Sequence, residues 1–489
     1  MTCVERVQQL QQRQASPDQK IASGHTDGQT FTHFIGSAAH DHQHVEQPPH
    51  TLHAQAMKDT IKTVLMVTVE FPPAQSSGVN RIQSFAHDLA AHGWQVIVLT
   101  TTPNVYPQLD NDNQIASSLS SQVFRTKALT SNRIFQIAGR YPAVVTIPDR
   151  YWPWLFSAIP RGHRLIKEFN IDCIWSSYPY LSAHLVAQRL AQRSKLPWVA
   201  DFRDPLQCHY HHGYKHGNAF TLWLERRIVH QATALCFVTE ETRDLYRTLY
   251  PKVHADKFHV IENGYSQIMQ APEPCEVPTG QHQHSDPQAT TQSSKFILLY
   301  SGGLYDGHRN PSPLFSAIAT LQRQGLVTAN NFVLRFRGAG DGQRFMPQLQ
   351  DEGIEHLVEF LPNVSQREAI NEILHADANL LIQGEIFNYQ IPAKLYDYLQ
   401  ASAPVLAICP KQSATARRCE RIAQCHTAWE VNEIKAIIAQ WLYRHRQQLP
   451  INNATLTPQQ RQQLFSRHAR SIELAGLLQM LCTAHTSST

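Results

Sequence analysis

Long apolar runs are missing from this sequence. No stretch of about 18 consecutive apolar residues occurs, so no membrane-spanning helix is predicted. The N-terminus lacks a basic segment followed by an apolar one, so no secretory leader is read and a cytoplasmic protein is expected. Charge of either sign is scarce: 17 % of residues are charged, and the formal net charge is +4 over 489 residues. So small a balance gives no reason to expect nucleic acid, although it permits contact with anionic lipid or a phosphorylated substrate. Paired cysteine motifs are lacking as well. The nine cysteines include no C-x-x-C pair, and Cys173, Cys236 and Cys409 sit inside apolar runs. They read as buried free thiols in a reducing compartment.

Apolar residues make up 42 % of the chain, enough for two cores, and the length exceeds what one core ordinarily serves. Residues 1–60 are rich in Gln, His, Ser and Thr and have no apolar period, so a disordered extension is expected there. Order begins at Ile61. Strand-like runs alternate with amphipathic helical patterns over 61–265, starting with the strand Val64–Val69, a loop, a helix carrying Ile82, Phe85 and Leu89, and the strand Val96–Leu99. Residues 266–294 form a Gln-, His-, Pro- and Ser-rich linker or insertion. A second alternation fills 295–450, and 451–489 is a tail whose Ala469–Cys482 stretch is amphipathic and expected to pack back toward the first lobe. The fold class predicted is α/β, with two doubly wound Rossmann-like lobes facing a cleft.

Four segments carry candidate chemistry. Ser76-Ser-Gly-Val-Asn-Arg81 places Gly78 between a strand and a helix, where backbone N–H groups are free for an anion, and Arg81 adds a forked donor for phosphate or carboxylate. Turn geometry alone would also account for Gly78. Asp201-Phe-Arg-Asp-Pro205 follows a strand at the edge where open α/β sheets bind ligands. Arg203 and Asp204 are the candidates there, with an internal pairing of Arg203 to Asp201 or Asp204 as the structural reading. Leu299-Tyr-Ser-Gly-Gly303 with Arg309 offers an open backbone and a cation ahead of a helix, as a nucleoside diphosphate requires. Gly384 to Val405 contains Pro392-Ala-Lys-Leu-Tyr-Asp397, where Lys394 and Asp397 share a helix face. The lysine suits a phosphate and the carboxylate suits ribose hydroxyls; a solvated ion pair is the alternative.

In this order, the four segments resemble the GT-B glycosyltransferases, in particular the retaining family 4-like enzymes of bacterial surface-polysaccharide synthesis. The resemblance covers about 61–480. It implies that the first lobe takes the acceptor and the second the nucleotide sugar, with Gly302, Gly303, Arg309, Lys394, Asp397 and Tyr389 at the donor, and Arg309 and Lys394 acting on the leaving diphosphate. Val260-Ile-Glu-Asn-Gly-Tyr265 resembles the segment that ends the first lobe at the hinge. Where the commoner pattern has two glutamates eight residues apart, Asp397 and Tyr389 stand here, and Glu385 is out of register. The implied reaction moves a sugar from a nucleoside diphosphate sugar to a glycan or lipid-linked acceptor, with no metal or cofactor called for and with any membrane contact peripheral. A GT-B-like sugar-nucleotide epimerase, or a weakened sugar-nucleotide binding protein, is the alternative. Cys208-His-Tyr-His-His212 with His216 has the residue types of a zinc site, but its spacing matches no zinc pattern, and it reads as a polar loop.

Overall fold

The computed structural model describes residues 61–76, 78–109, 122–206, 219–266, 295–304, 308–452 and 456–487. The extension 1–60, the linker from 267 to 294 and the Cys208–His216 segment lie outside the described residues.

The first sheet contains seven parallel strands in the order β3-β2-β1-β4-β5-β6-β7. They are β1 (Lys62–Val67), β2 (Trp94–Thr101), β3 (Val123–Thr126), β4 (Cys173–Ser177), β5 (Trp198–Phe202), β6 (Ala234–Phe237) and β7 (Phe258–Val260). The continuous run Val64-Leu-Met-Val67 suits a strand covered on both faces, and all four side chains are fully buried. The second sheet has six parallel strands in the order β10-β9-β8-β11-β12-β13. These are β8 (Phe296–Ser301), β9 (Phe332–Arg337), β10 (Val358–Leu361), β11 (Ala378–Ile382), β12 (Val405–Ile408) and β13 (Cys425–Ala428). In each sheet the strand order reverses once, between β1 and β4 and between β8 and β11. At such a reversal the flanking loops diverge to opposite faces and leave a crevice at the carboxyl ends of the strands.

Several elements escape the sequence patterns. β3 and β13 are four-residue edge strands with mostly half-buried side chains, so they show neither an apolar run nor clean alternation. The Leu155–Glu168 helix contains Pro160, ordinarily a stop signal. The Val431–Arg446 helix packs Ile434, Ile438, Trp441 and Leu442 into the second core, beside the Ser312–Arg323 helix.

The terminal helix, Arg467–Thr486, lies on the Val79–Asp88 helix of the first sheet. Leu474, Leu477, Leu478 and Cys482 join Val64, Phe85 and Trp175 in one apolar cluster. The entry to this helix is tied to the end of the first lobe by backbone bonds, Tyr265 N to Phe465 O at 3.0 Å and Arg467 N to Tyr265 O at 2.9 Å.

Candidate active site

The second-lobe reversal point gathers the basic residues. β8 ends at Ser301, and Gly302 turns the chain at φ +104° while its N–H donates to Arg337 O at 2.6 Å. A Cβ at Gly302 would stand 2.6 Å from Lys394 Cε and Nζ, so this position admits glycine both for its backbone angle and for the lysine packed on it. Lys394, in the first turn of the Ala393–Tyr398 helix, donates to Tyr300 Oη at 3.1 Å and lies 4.3 Å over the centre of the Tyr300 ring. Arg309 reaches the same place. Its Nη1 donates to Gly303 O at 2.9 Å and approaches Tyr300 Oη at 3.4 Å. Tyr300 in turn donates to Gly303 O at 2.9 Å. Two cations therefore converge on one phenol beside the glycine loop. Burial brings the Lys394 ammonium down to about 7, Arg309 pushes in the same direction, and Asp397 opposes both. Asp397 is itself raised to about 6 by burial, against Arg467 and Lys394.

On the first lobe the structure corrects the reading of Arg81. Its Nε and Nη2 bond the two Asp201 oxygens at 3.3 and 3.0 Å, and its remaining N–H groups meet Ile261 O, Glu262 O and Asn263 Oδ1. The fork is engaged with a carboxylate and the chain leading to the hinge, so it braces the lobe and has no N–H left for a phosphate. Arg81 thus occupies Asp201, one of the two partners that the sequence offers Arg203. Arg203 instead lays its guanidinium over Gly78, where a Cβ would fall 1.4 Å from Nη1. Its Nε is buried without a hydrogen-bond partner among the described residues.

Asp204 and Tyr389 meet at the seam between the lobes. Gln390 Nε2 donates to Asp204 Oδ1 at 2.9 Å, and the hydroxyls of Thr239 and Thr242 stand 2.8 and 2.9 Å from Tyr389 O. The ion pair Arg418–Glu262, at 2.9 Å, joins the same seam. Tyr389 thus engages the first lobe through its backbone carbonyl. Tyr300, Gln390, Thr239 and Thr242 were not singled out from the sequence: Tyr300 lies inside a strand run, and the others become neighbours of the site only when the lobes meet. Among the described residues, no three His, Cys, Asp or Glu side chains stand together as a metal cluster.

Two doubly wound parallel sheets, each with its crevice edge carrying polar groups, make up a fold of the GT-B class. Residues 77–264 of the chain match the model of the glycosyl transferase 4-like domain family. Among solved structures, sucrose-phosphate synthase from Thermosynechococcus elongatus is similar at a TM-score of 0.58 and 14% identity, over 86% of this chain and 100% of that one. HepE from Anabaena, solved with UDP, gives 0.54 at 12% identity, over 86% and 100%. The apo form of the lipopolysaccharide outer core galactosyltransferase WaaB gives 0.52 at 11% identity, over 85% and 99%. At these identities the likeness establishes the fold. No curated protein sequence matches the chain.

Proposed function

We propose that this glycosyltransferase moves a sugar from a nucleoside diphosphate sugar to a hydroxyl of a glycan or lipid-linked acceptor, with retention of configuration, in polysaccharide or glycoconjugate synthesis. The observation that carries the reading is the convergence of Arg309 and Lys394 on Tyr300 beside Gly302 and Gly303, at the β8/β11 reversal point. As the bond to the anomeric carbon breaks, negative charge grows on the departing diphosphate. Fixed cations and backbone N–H groups lower the barrier by meeting that charge without reorganising. Asp397, deeper on the same helix, is assigned to the ribose hydroxyls, whose hydrogen bonds would favour the buried carboxylate. Tyr389 is assigned to the donor sugar, and Gly78, Arg203 and Asp204 to the first-lobe wall. HepE has been solved with UDP-glucose, which makes a uridine donor the first to try.

A peripheral site of action at the inner face of the membrane is part of the proposal. Between residues 122 and 167 the sole carboxylate is Asp149, which is buried, whereas Lys127, Arg133, Arg140 and Arg164 are exposed. The same segment exposes Ile137 at 81 %, Val144 at 68 % and Phe156 at 76 %. Apolar side chains among cations suit an anionic lipid surface.

The donor site is tested by Arg309→Ala and Lys394→Ala. A charge-assisted hydrogen bond contributes about 1.5–3 kcal/mol, so each change is expected to lower kcat/KM roughly 10- to 100-fold. UDP affinity by calorimetry and UDP release from UDP-glucose are the readouts. Full affinity and turnover in both variants would remove the diphosphate from this place.

A further inference from the structure

The donor reading leaves the first-lobe reversal point without a role, and that crevice holds a buried carboxylate. Glu70 follows β1, and Tyr180 follows β4. Their side chains meet across the point where the strand order reverses, Tyr180 Oη donating to Glu70 Oε1 at 2.9 Å. Ser76 Oγ donates to Glu70 Oε2 at 2.6 Å. Glu70 is 7 % exposed, and the cation of this crevice, Arg150, bonds Tyr151 and Tyr180 and forms no ion pair with Glu70 among the described residues. A buried carboxylate held by two neutral hydroxyls is a costly arrangement for a purely structural purpose. Each oxygen receives one donor, whereas a carboxylate offers roughly four lone-pair sites, so further hydroxyl donors can be accepted.

The backbone around Glu70 is fixed in advance. Val69 O, one residue before, faces three hydroxyls, those of Thr100, Thr101 and Tyr106, at 3.0, 2.9 and 3.2 Å. Thr68 Oγ1 donates to Glu70 O at 3.0 Å. Tyr151 packs edge-on against Tyr180, with ring centres 4.6 Å apart, which adds an aromatic wall. Burial and the adjacent Glu70 carboxylate push the Tyr180 hydroxyl up, so it remains a donor. The Glu70–Ser76 loop leads to Gly78, Arg203 covers Gly78, and Asp204 reaches the second lobe at Gln390. The carboxylate therefore stands on the loop system that meets the donor lobe.

We propose that Glu70, set by Tyr180 and Ser76, is the subsite that grips the acceptor: its carboxylate accepts the hydrogen bond of the nucleophilic hydroxyl of a polyhydroxylated acceptor and aims that oxygen at the donor sugar. This rests on the glycosyltransfer reading above. In transfer with retention, the new C1–O bond forms on the face from which the phosphate oxygen leaves. The electron pair of the broken bond goes to that oxygen, and the acceptor's proton follows it. Glu70 positions the hydroxyl and does not keep its proton. An oriented hydroxyl at bonding distance is worth more to the rate than one free in water.

The test uses the full chain, UDP titrated by calorimetry, and UDP release from UDP-glucose with water or octyl glucoside as hydroxyl acceptor. Glu70→Ala is expected to lower kcat about 10- to 100-fold, the worth of one hydrogen bond to a charged group, while UDP affinity stays at the wild-type value. Sodium formate, which fits the vacated carboxylate position, is expected to restore part of the turnover of Glu70→Ala and none of that of Arg309→Ala. Tyr180→Phe should raise KM for octyl glucoside without changing UDP affinity. Wild-type turnover in Glu70→Ala overturns the inference. So does a loss that formate leaves untouched and that accompanies a fall in melting temperature, since Glu70 would then serve only the fold. A wild-type chain that binds no UDP and releases none overturns the donor reading itself, and is told apart from these outcomes by the first titration.

Discussion

At Lys394 two influences weaken the ammonium and one opposes them. Water is removed from Nζ, Arg309 adds a like charge, and Asp397 alone pulls toward the charged form, which leaves the group near pH 7. A bound diphosphate would reverse this by supplying negative charge. Between about pH 7 and the ordinary lysine range, the empty site is then largely neutral and the loaded site charged, so binding takes up a proton. The sign follows: affinity for UDP is highest below about pH 7 and falls with rising pH, by at most about tenfold per unit. Calorimetry of UDP binding at pH 8, in buffers of different ionisation enthalpy, is expected to give an uptake approaching one proton in the wild type and none in Lys394→Met. Equal uptake in both would mean that another group carries the proton. The motif Pro392-Ala-Lys-Leu-Tyr-Asp397 marked this residue in advance, but Tyr300 beneath it was hidden, because a tyrosine in a strand run reads as core.

At the scale of elements, the terminal helix matters most. It belongs to the first-lobe core although it follows the second lobe in sequence, and its apolar face joins the cluster of Val64, Phe85 and Trp175. Leu474 and Leu478 are fully buried in the cluster with Val64, Phe85 and Trp175. Leu478→Ala removes buried methyl groups and leaves a cavity, at a cost of about 2–5 kcal/mol. Urea denaturation is expected to register that loss with an unchanged slope, whereas Met480→Ala on the exposed side should be near neutral. A result within error of wild type for Leu478→Ala would show that the helix packs elsewhere. The amphipathic period of Ala469–Cys482 was readable by itself. Its neighbour was not, since periodicity says which side of a helix is apolar and nothing about what covers it.

For the whole molecule, the exposed apolar and basic surface around Ile137, Val144 and Phe156 sets an expectation about lipid. No helix among the described residues is long and apolar enough to cross a membrane. The full chain is expected to bind vesicles containing phosphatidylglycerol, to bind phosphatidylcholine vesicles weakly, and to be released by salt, because electrostatic attraction to a charged surface is screened within about 10 Å at 0.1 M salt. Phe156→Ser combined with Val144→Ser should lower vesicle binding in a flotation assay and leave UDP affinity unchanged. Binding that is indifferent to lipid charge and to salt would count against the surface.

Strand runs such as Val64–Val67 and Leu380–Ile382 settled the α/β class, because a parallel strand buried on both faces is apolar over most of its length. Glycines and cations at strand ends settled where to look, because backbone N–H groups and fixed charge are what a diphosphate needs. Local sequence could not decide partners. Arg81 and Arg203 both follow first-lobe strands and looked alike, yet one is engaged by Asp201 and the hinge carbonyls while the other covers Gly78. Glu70 looked like an ordinary loop residue until β4 brought Tyr180 beside it from 110 positions away. Strand order, the meeting of the lobes and the return of the terminal helix made those assignments, because a hydrogen bond or an apolar contact depends on distance in space, and chain distance constrains that only over a few residues.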